Sequence, residues 1–223
     1  MKHSYFKIPG WFNYSETYDI IVDQIPEDGK IVEIGSFLGR STHYLATSLV
    51  NAGKENVKIY SVDTFEGSTE HANNNSFKKE IHETLEHANI KLPKDFSSIF
   101  RDNLQYFIGR NMVNVCQGRS DEKRILDMFE DNSIDYIMVD GAHEYDAVQD
   151  DILNWWPKLK ENGTMVGDDY LLNSVAEAVK DGFSQLKIPN FGANRAIEQT
   201  WYCSKGNSNK VFEKRIPGVN AYV

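Results

Sequence analysis

The run Ile31-Val32-Glu33-Ile34-Gly35-Ser36-Phe37-Leu38-Gly39-Arg40-Ser41-Thr42 admits very few folds. A strand-length apolar segment breaks into a two-glycine turn, after which Leu38, Thr42, Leu45 and Leu49 recur at helical intervals until Gly53. Strand, elbow and helix in that order open a βαβ unit, in which ligands sit outside the carboxyl end of the strand, beside the unpaired N–H groups of the helix start. Gly35 and Gly39 permit positive φ and close backbone approach at such an elbow. Their Gly-x-x-x-Gly spacing lacks the Gly-x-Gly-x-x-Gly that seats a dinucleotide pyrophosphate, so the motif alone fits a packing turn as well as a cofactor site.

The same rhythm recurs downstream. Val57-Lys58-Ile59-Tyr60-Ser61-Val62 reads as a second strand ending in Asp63, where doubly wound folds place an acid that accepts ribose hydroxyls; a turn-forming aspartate is the competing reading. Met112–Gln117 is a third strand, followed by Gly118-Arg119-Ser120-Asp121 and a helix through Ile125, Leu126 and Phe129. Ser120 or Asp121 is placed to hydrogen-bond an adenine edge or to cap that helix. Ser133–Val139 is apolar enough for a strand buried on both faces, and it delivers Asp140-Gly141-Ala142-His143. A helix carrying Val148, Ile152, Trp155, Trp156 and Leu159 leads to a fifth strand, Gly163–Gly167, that ends in Asp168-Asp169-Tyr170. Adjacent parallel strands lie about 4.8 Å apart, so Asp140, Asp168 and Asp169 can converge on one ion. Carboxylates crowded without a cation repel or shift their pKa values; a divalent metal resolves this most simply, against the alternative of one helix cap and one solvated acid.

The remaining segments are less specific. Tyr5, Phe6, Trp11, Phe12 and Tyr14 precede Tyr18, Ile21, Val22 and Ile25, which predict an N-terminal helical extension within residues 1–28; its aromatics dock on the core, or cover a cofactor or a partner subunit, which leaves a homo-oligomer open. Residues 64–111 are too long for a plain connection and read as a lid or substrate-specificity insertion. Within it, with His71 nearby, His82 and Glu86 or Glu83 and His87 share metal spacing, which a solvated helix face explains equally simply. Val175, Ala178, Val179, Phe183 and Leu186 predict another helix, Thr200–Cys203 a strand, and Val211-Phe212 a further one. With 223 residues, no internal repeat and no Pro/Gly linker, one domain over 1–223 is expected. The net charge of −9 and scattered Lys and Arg disfavour nucleic acid and favour a small-molecule partner. No apolar run approaches the roughly 18 to 20 residues of a membrane span, no signal-peptide pattern follows Met1, and Cys116 and Cys203 form no disulfide framework, so the expected compartment is cytoplasmic.

Taken together, Glu33-Ile34-Gly35-Ser36-Phe37-Leu38-Gly39, Asp63, Gly118-Arg119-Ser120, Asp140-Gly141-Ala142-His143 and Asp168-Asp169-Tyr170 resemble the class I S-adenosylmethionine-dependent methyltransferases over roughly residues 29 to 187. Val62-Asp63-Thr64-Phe65-Glu66-Gly67 and the Val-Asp-Gly-x-His and Asp-Asp-Tyr pair are similar to the small metal-assisted O-methyltransferases that act on macrolide sugars. The resemblance implies an α/β, Rossmann-like doubly wound sheet of about seven strands, mostly parallel with an antiparallel last strand and helices on both faces. It implies S-adenosylmethionine (SAM) held by Glu33, Gly35, Ser36, Gly39 and Ser41 at the elbow, by Asp63 and Thr64, by Ser120 and Asp121, and by Asp140. It further implies Mg²⁺ or another divalent cation on Asp140, Asp168 and Asp169, His143 as general base with Asp140 beside it, and a small-molecule hydroxyl as methyl acceptor. A nucleoside-binding module without catalysis would need Gly35 and Asp63 but not the acidic cluster, and a nicotinamide-dependent oxidoreductase would want the denser glycine fingerprint.

Overall fold

The computed structural model describes residues 1–67, 96–194, 198–206 and 220–221. Strands β1 (Lys30–Ile34), β2 (Lys58–Asp63), β3 (Val113–Gln117), β4 (Ile134–Val139) and β5 (Leu159–Gly167) pair in parallel. β6 (Gly192–Asn194), β7 (Thr200–Ser204) and β8 (Asn220–Ala221) extend the sheet through antiparallel pairs. The order β3-β2-β1-β4-β5-β7-β6-β8 reverses direction between β1 and β4, the switch point at which a doubly wound sheet opens a crevice. This is the expected Rossmann-like architecture, except that its antiparallel end is a three-strand set with β7 wedged between β5 and β6. Three-residue β6 and two-residue β8 carry too little pattern to be seen in sequence.

Alternation along the strands divides the core. Ile31, Ile59 and Val113 face helices α1 (Ser15–Gln24), α2 (Arg40–Asn51) and α3 (Ser97–Gly109) on one side. Val32, Val62, Cys116 and Ile137 face α4 (Lys123–Leu126), α5 (Tyr145–Trp155) and α6 (Asn173–Gln185) on the other. Both faces are covered, which is why these strands read as nearly continuous apolar runs. Helix α5 stops at Trp155, and Trp156–Lys158 forms a 3₁₀ turn, so Leu159 begins β5 instead of lying on the helix face. Pro157 has no N–H with which to continue the helix.

The 64–111 segment contains, within its described part, one packed helix. That helix is α3, whose Phe100, Leu104 and Phe107 are at most 1% exposed, making it the crossover helix between β2 and β3. The rest of the expected lid, residues 68–95, lies outside the described residues, together with His71, His82, Glu83, Glu86, His87 and Val211-Phe212.

Candidate active site

Register brings the candidate residues together. Val62, Ile34, Val139 and Gly167 stand side by side across β2, β1, β4 and β5, so the next residue of each strand, Asp63, Gly35, Asp140 and Asp168, forms one row along the carboxyl edge. Backbone bonds carry the ladder one rung past the strands: Gly35 N–H donates to the Val62 carbonyl (2.9 Å), Asp140 N–H to Ile34 (2.9 Å) and Asp168 N–H to Val139 (3.1 Å). The row is thus fixed by the sheet rather than by loop conformation.

At the β4 and β5 end of this row, His143 Nε2 lies 2.9 Å from Asp169 Oδ2. Among the described residues, Asp140, His143 and Asp169 each bring one potential ligand atom within 4.8 Å of the others. Asp168, expected to join Asp140 and Asp169, is outside that group; its Oδ1 is buried without a hydrogen-bond partner among the described residues. Asp169 reaches the cluster by adopting a left-handed backbone with φ 59°, which the sequence pattern does not disclose. Loss of hydration and the neighbouring charge of Asp168 hold the Asp140 carboxyl well above the usual carboxylate range. Burial and Asp169 push Asp168 up to about 7. These shifts have the direction expected of anions that lack a counter-charge. A cavity of about 10 Å³, room for one water or ion, is lined by Asp140, His143, Asp168 and Asp169. The orphaned Asp168 oxygen, the carboxylate donors and the cavity size fit a hard divalent cation, which takes oxygen ligands. A larger cavity of about 380 Å³ lies between Lys180, Phe183 and Phe191 on and after α6 and holds no carboxylate or imidazole.

At the β1 elbow both glycines adopt the expected positive φ and also make room for packed neighbours. A Cβ on Gly35 (φ +87°) would lie 1.9 Å from the Asp140 carbonyl oxygen, and one on Gly39 (φ +87°) would lie 2.3 Å from Leu104 Cδ2. Both glycines therefore admit protein neighbours on that side: the β4 loop and helix α3. Glu33 is fully buried and accepts hydroxyls from Tyr18 (2.6 Å), Ser36 (2.9 Å) and Thr42, with Ser41 also bonded to it; its carboxylate organises the elbow from within. Asp63 accepts Phe37 N–H on Oδ2 and Phe65 N–H on Oδ1, both at 2.7 Å, tying the β1 and β2 loops together. Burial raises its pKa and those N–H groups oppose the rise. Ser36 N–H is a third backbone donor to this carboxylate, so three of its roughly four acceptor positions are taken and one remains open to a ligand hydroxyl. The Thr64 hydroxyl accepts Glu66 N–H at 3.3 Å. Among the described residues no side chain caps α2, so its first-turn N–H groups are available to an anionic ligand group. After β3, the Ser120 carbonyl accepts Trp155 Nε1–H (3.2 Å) and its side chain bonds Asp151, whereas Asp121 forms a two-bonded pair with Arg119 (2.8 and 2.7 Å). Neither caps α4.

Two contacts escaped sequence reasoning. Tyr14 Oη–H donates to Asp140 Oδ2 at 2.6 Å, from 126 residues away. Glu198 accepts the N–H groups of Glu16 (2.6 Å) and Thr17 (3.0 Å) and the Thr17 hydroxyl (2.5 Å), capping α1 across 182 and 181 residues. The one available signal was the four-residue spacing of Tyr14 and Tyr18, which names a helix face but no partner.

Comparison with known proteins agrees with this layout. Among solved structures, the O-methyltransferase NovP superposes with a TM-score of 0.63 at 18% identity, covering 86% of this chain and 79% of its own. CalS11, a TDP-rhamnose 3'-O-methyltransferase of calicheamicin biosynthesis, gives 0.59 at 14%, covering 86% and 78%. A SAM-dependent O-methyltransferase from Thermotoga maritima gives 0.57 at 14%, covering 89% and 68%. Likeness at these identities is likeness of fold. An uncharacterized protein of Sinorhizobium fredii, y4gI, is 28% identical over 140 residues; the match takes in 63% of this chain and spans 13% of that protein's length. The methyltransferase domain model matches residues 32–170, from the β1 elbow through Asp140, His143 and the Asp168-Asp169-Tyr170 turn. Since that stretch contains the whole carboxyl-edge row, the chain belongs to the methyltransferase domain family.

Proposed function

We propose that this protein transfers the methyl group of SAM to a hydroxyl of a small molecule, of sugar or secondary-metabolite type, with a divalent cation and a histidine base. The observation that carries the reading is the row Asp63, Gly35, Asp140 and Asp168, which sets a nucleoside-type acid and an acidic, imidazole-bearing cluster on one edge of the sheet. Asp63 would accept the ribose hydroxyls, and the uncapped start of α2 would receive the methionine carboxylate. Ser120 would meet the adenine edge. Asp140, Asp168 and Asp169 would hold Mg²⁺, which when bound lowers the pKa of a coordinated hydroxyl. SAM brings a methyl made electrophilic by its sulfonium. His143, oriented by its 2.9 Å contact with Asp169, takes the acceptor's hydroxyl proton. Everything else is positioning, which supplies about 7 to 11 kcal/mol of barrier lowering in favourable cases.

The acceptor reading rests on the sugar O-methyltransferase among the solved structures. The net charge of −9 weighs against a nucleic-acid substrate. No helix of the described residues is long and apolar enough to cross a membrane, and Cys116 and Cys203 are buried free thiols, both of which suit a cytoplasmic enzyme.

The test is release of S-adenosylhomocysteine across a panel of hydroxylated sugars and nucleotide sugars. Turnover is expected with Mg²⁺ and not in excess chelator. His143→Ala should keep SAM binding and lose most turnover, while Asp63→Ala should weaken SAM binding itself. Full activity in chelator removes the metal, unchanged turnover in His143→Ala removes the base, and SAM binding without turnover on any acceptor favours a binding module.

A further inference from the structure

Helix α1 precedes the first strand and is no part of the alternating βαβ core, yet it puts two phenols on two carboxylates of the site. Tyr14 and Tyr18 are both 0% exposed, and their rings meet edge to face with centroids 5.2 Å apart. Tyr18 donates to Glu33 Oε1, inside the elbow, and Tyr14 donates to Asp140 Oδ2, in the acidic cluster, each at 2.6 Å. A distance of 2.6 Å lies at the short end for hydroxyl hydrogen bonds, so Tyr14 and Asp140 are closely coupled. Packing alone does not call for these hydroxyls, because phenylalanine fills the same space; Phe12 packs on both rings without one.

The Tyr14 hydroxyl is held in place independently of Asp140. Glu198 binds the N–H groups of Glu16 and Thr17, which start the helix immediately after Tyr14, so the first turn of α1 is anchored to the segment between β6 and β7. One oxygen of Asp140 is therefore pinned by a fixed donor. This sets the rotation of the carboxylate about its Cβ–Cγ bond and leaves the other oxygen as the one presented to a ligand. Partners of this kind, behind a metal-binding carboxylate, typically change metal affinity about 10- to 100-fold when removed.

We propose that Tyr14 is a positioning residue that orients Asp140 to receive the divalent cation, an inference that rests on the reading of Asp140, Asp168 and Asp169 as the cation's ligands. Tyr18, one turn away on the other carboxylate, serves the elbow and not the ion.

The experiment titrates the intact protein with Mn²⁺ and follows free ion by electron paramagnetic resonance, alongside SAM affinity by calorimetry. Tyr14→Phe should weaken Mn²⁺ binding by about 10-fold or more and leave SAM affinity within about 2-fold. Tyr18→Phe, which loses an equally buried hydroxyl, should leave Mn²⁺ affinity unchanged. Wild-type Mn²⁺ affinity in Tyr14→Phe overturns the inference, and so does an equal loss in both variants, which would report general loosening of α1. Asp140→Asn separates the two levels: if wild type binds no Mn²⁺, or Asp140→Asn binds it as well as wild type, the metal reading itself falls and the inference with it. Circular dichroism checks folding at the titration temperature. Should Tyr14→Phe be unfolded there, the titration is repeated at about 5 °C with saturating SAM, which stabilises the folded form by mass action, and the same outcomes decide.

Discussion

Asp151 tests the electrostatics of this fold away from the acidic cluster. It lies on α5, is 4% exposed, bonds Ser120, and has Asp121, Asp150 and Arg119 as charged neighbours. Burial pushes its carboxyl from the ordinary 3.8 up to about 7. Between those values the folded protein retains a proton that the unfolded chain has released, so stability falls as pH rises. Below 3.8 both states are protonated and the group has no effect; above about 7 both are ionised and the loss is complete. About three pH units at about 1.36 kcal/mol each give a full loss of about 4 kcal/mol, of which about 2.5 kcal/mol falls between pH 5 and pH 8. The Asp151→Asn substitution is isosteric and removes the ionisable group, and the amide it introduces still bonds Ser120. For a chain of this length, at about 2 to 4 °C per kcal/mol, the Tm advantage of Asp151→Asn over wild type should widen by about 5 to 10 °C from pH 5 to pH 8. Calorimetric melts of both proteins at pH 5, 6, 7 and 8 in constant salt measure this difference, in which titrations common to both cancel. A constant offset across that range refutes the argument and means that Asp151 ionises in the folded protein as it does in water.

Two further perturbations address the edge row and its anchor. Gly35→Ala meets backbone, 1.9 Å from the Asp140 carbonyl oxygen and at φ +87°, so no rotamer change relieves it; a loss of about 3 kcal/mol or more is expected together with loss of SAM binding, and a calorimetric titration indistinguishable from wild type would refute it. Glu198→Ala strips the cap from α1; relief of a buried charge offsets part of the lost bonds, leaving a cost of about 2 to 4 kcal/mol in urea denaturation. Faster amide exchange at Glu16 and Thr17 should accompany it, and unchanged exchange there would show that another group takes over the cap.

Much of the fold is legible because its signals are local. The apolar runs at 31–34, 57–62 and 134–139 bury both faces and declare themselves as parallel strands, and Gly39, Gly53 and Pro157 mark where helices start or end. What escaped was short, non-local or continuous in sequence with a long polar stretch. β6 and β8 have three and two residues, and α3 was merged into an apparent insertion although Phe100, Leu104 and Phe107 already had helical spacing. In the site, Asp63, Asp140, His143, Asp168 and Asp169 could be picked out because each ends a strand or lies in the loop just after one, where the topology of the sheet puts ligands. The jobs of individual residues were less visible: Gly39 makes room for Leu104, Glu33 serves as an internal acceptor for the hydroxyls of Tyr18, Ser36 and Thr42, and Asp121 pairs with Arg119.

The sequence by itself determined the strand and helix alternation, the carboxylates at strand ends and the family, since these are written in residues close together along the chain. Only the tertiary structure decided that Asp63, Gly35, Asp140 and Asp168 share one row, that Asp169 turns toward His143 while Asp168 keeps a buried oxygen unpaired among the described residues, and that Tyr14 and Glu198 tie the N-terminal helix to the site. Register and long-range hydrogen bonds depend on how separate elements pack. A side chain's own pattern records whether it is buried, but not which of the groups it meets there lies more than a hundred residues away.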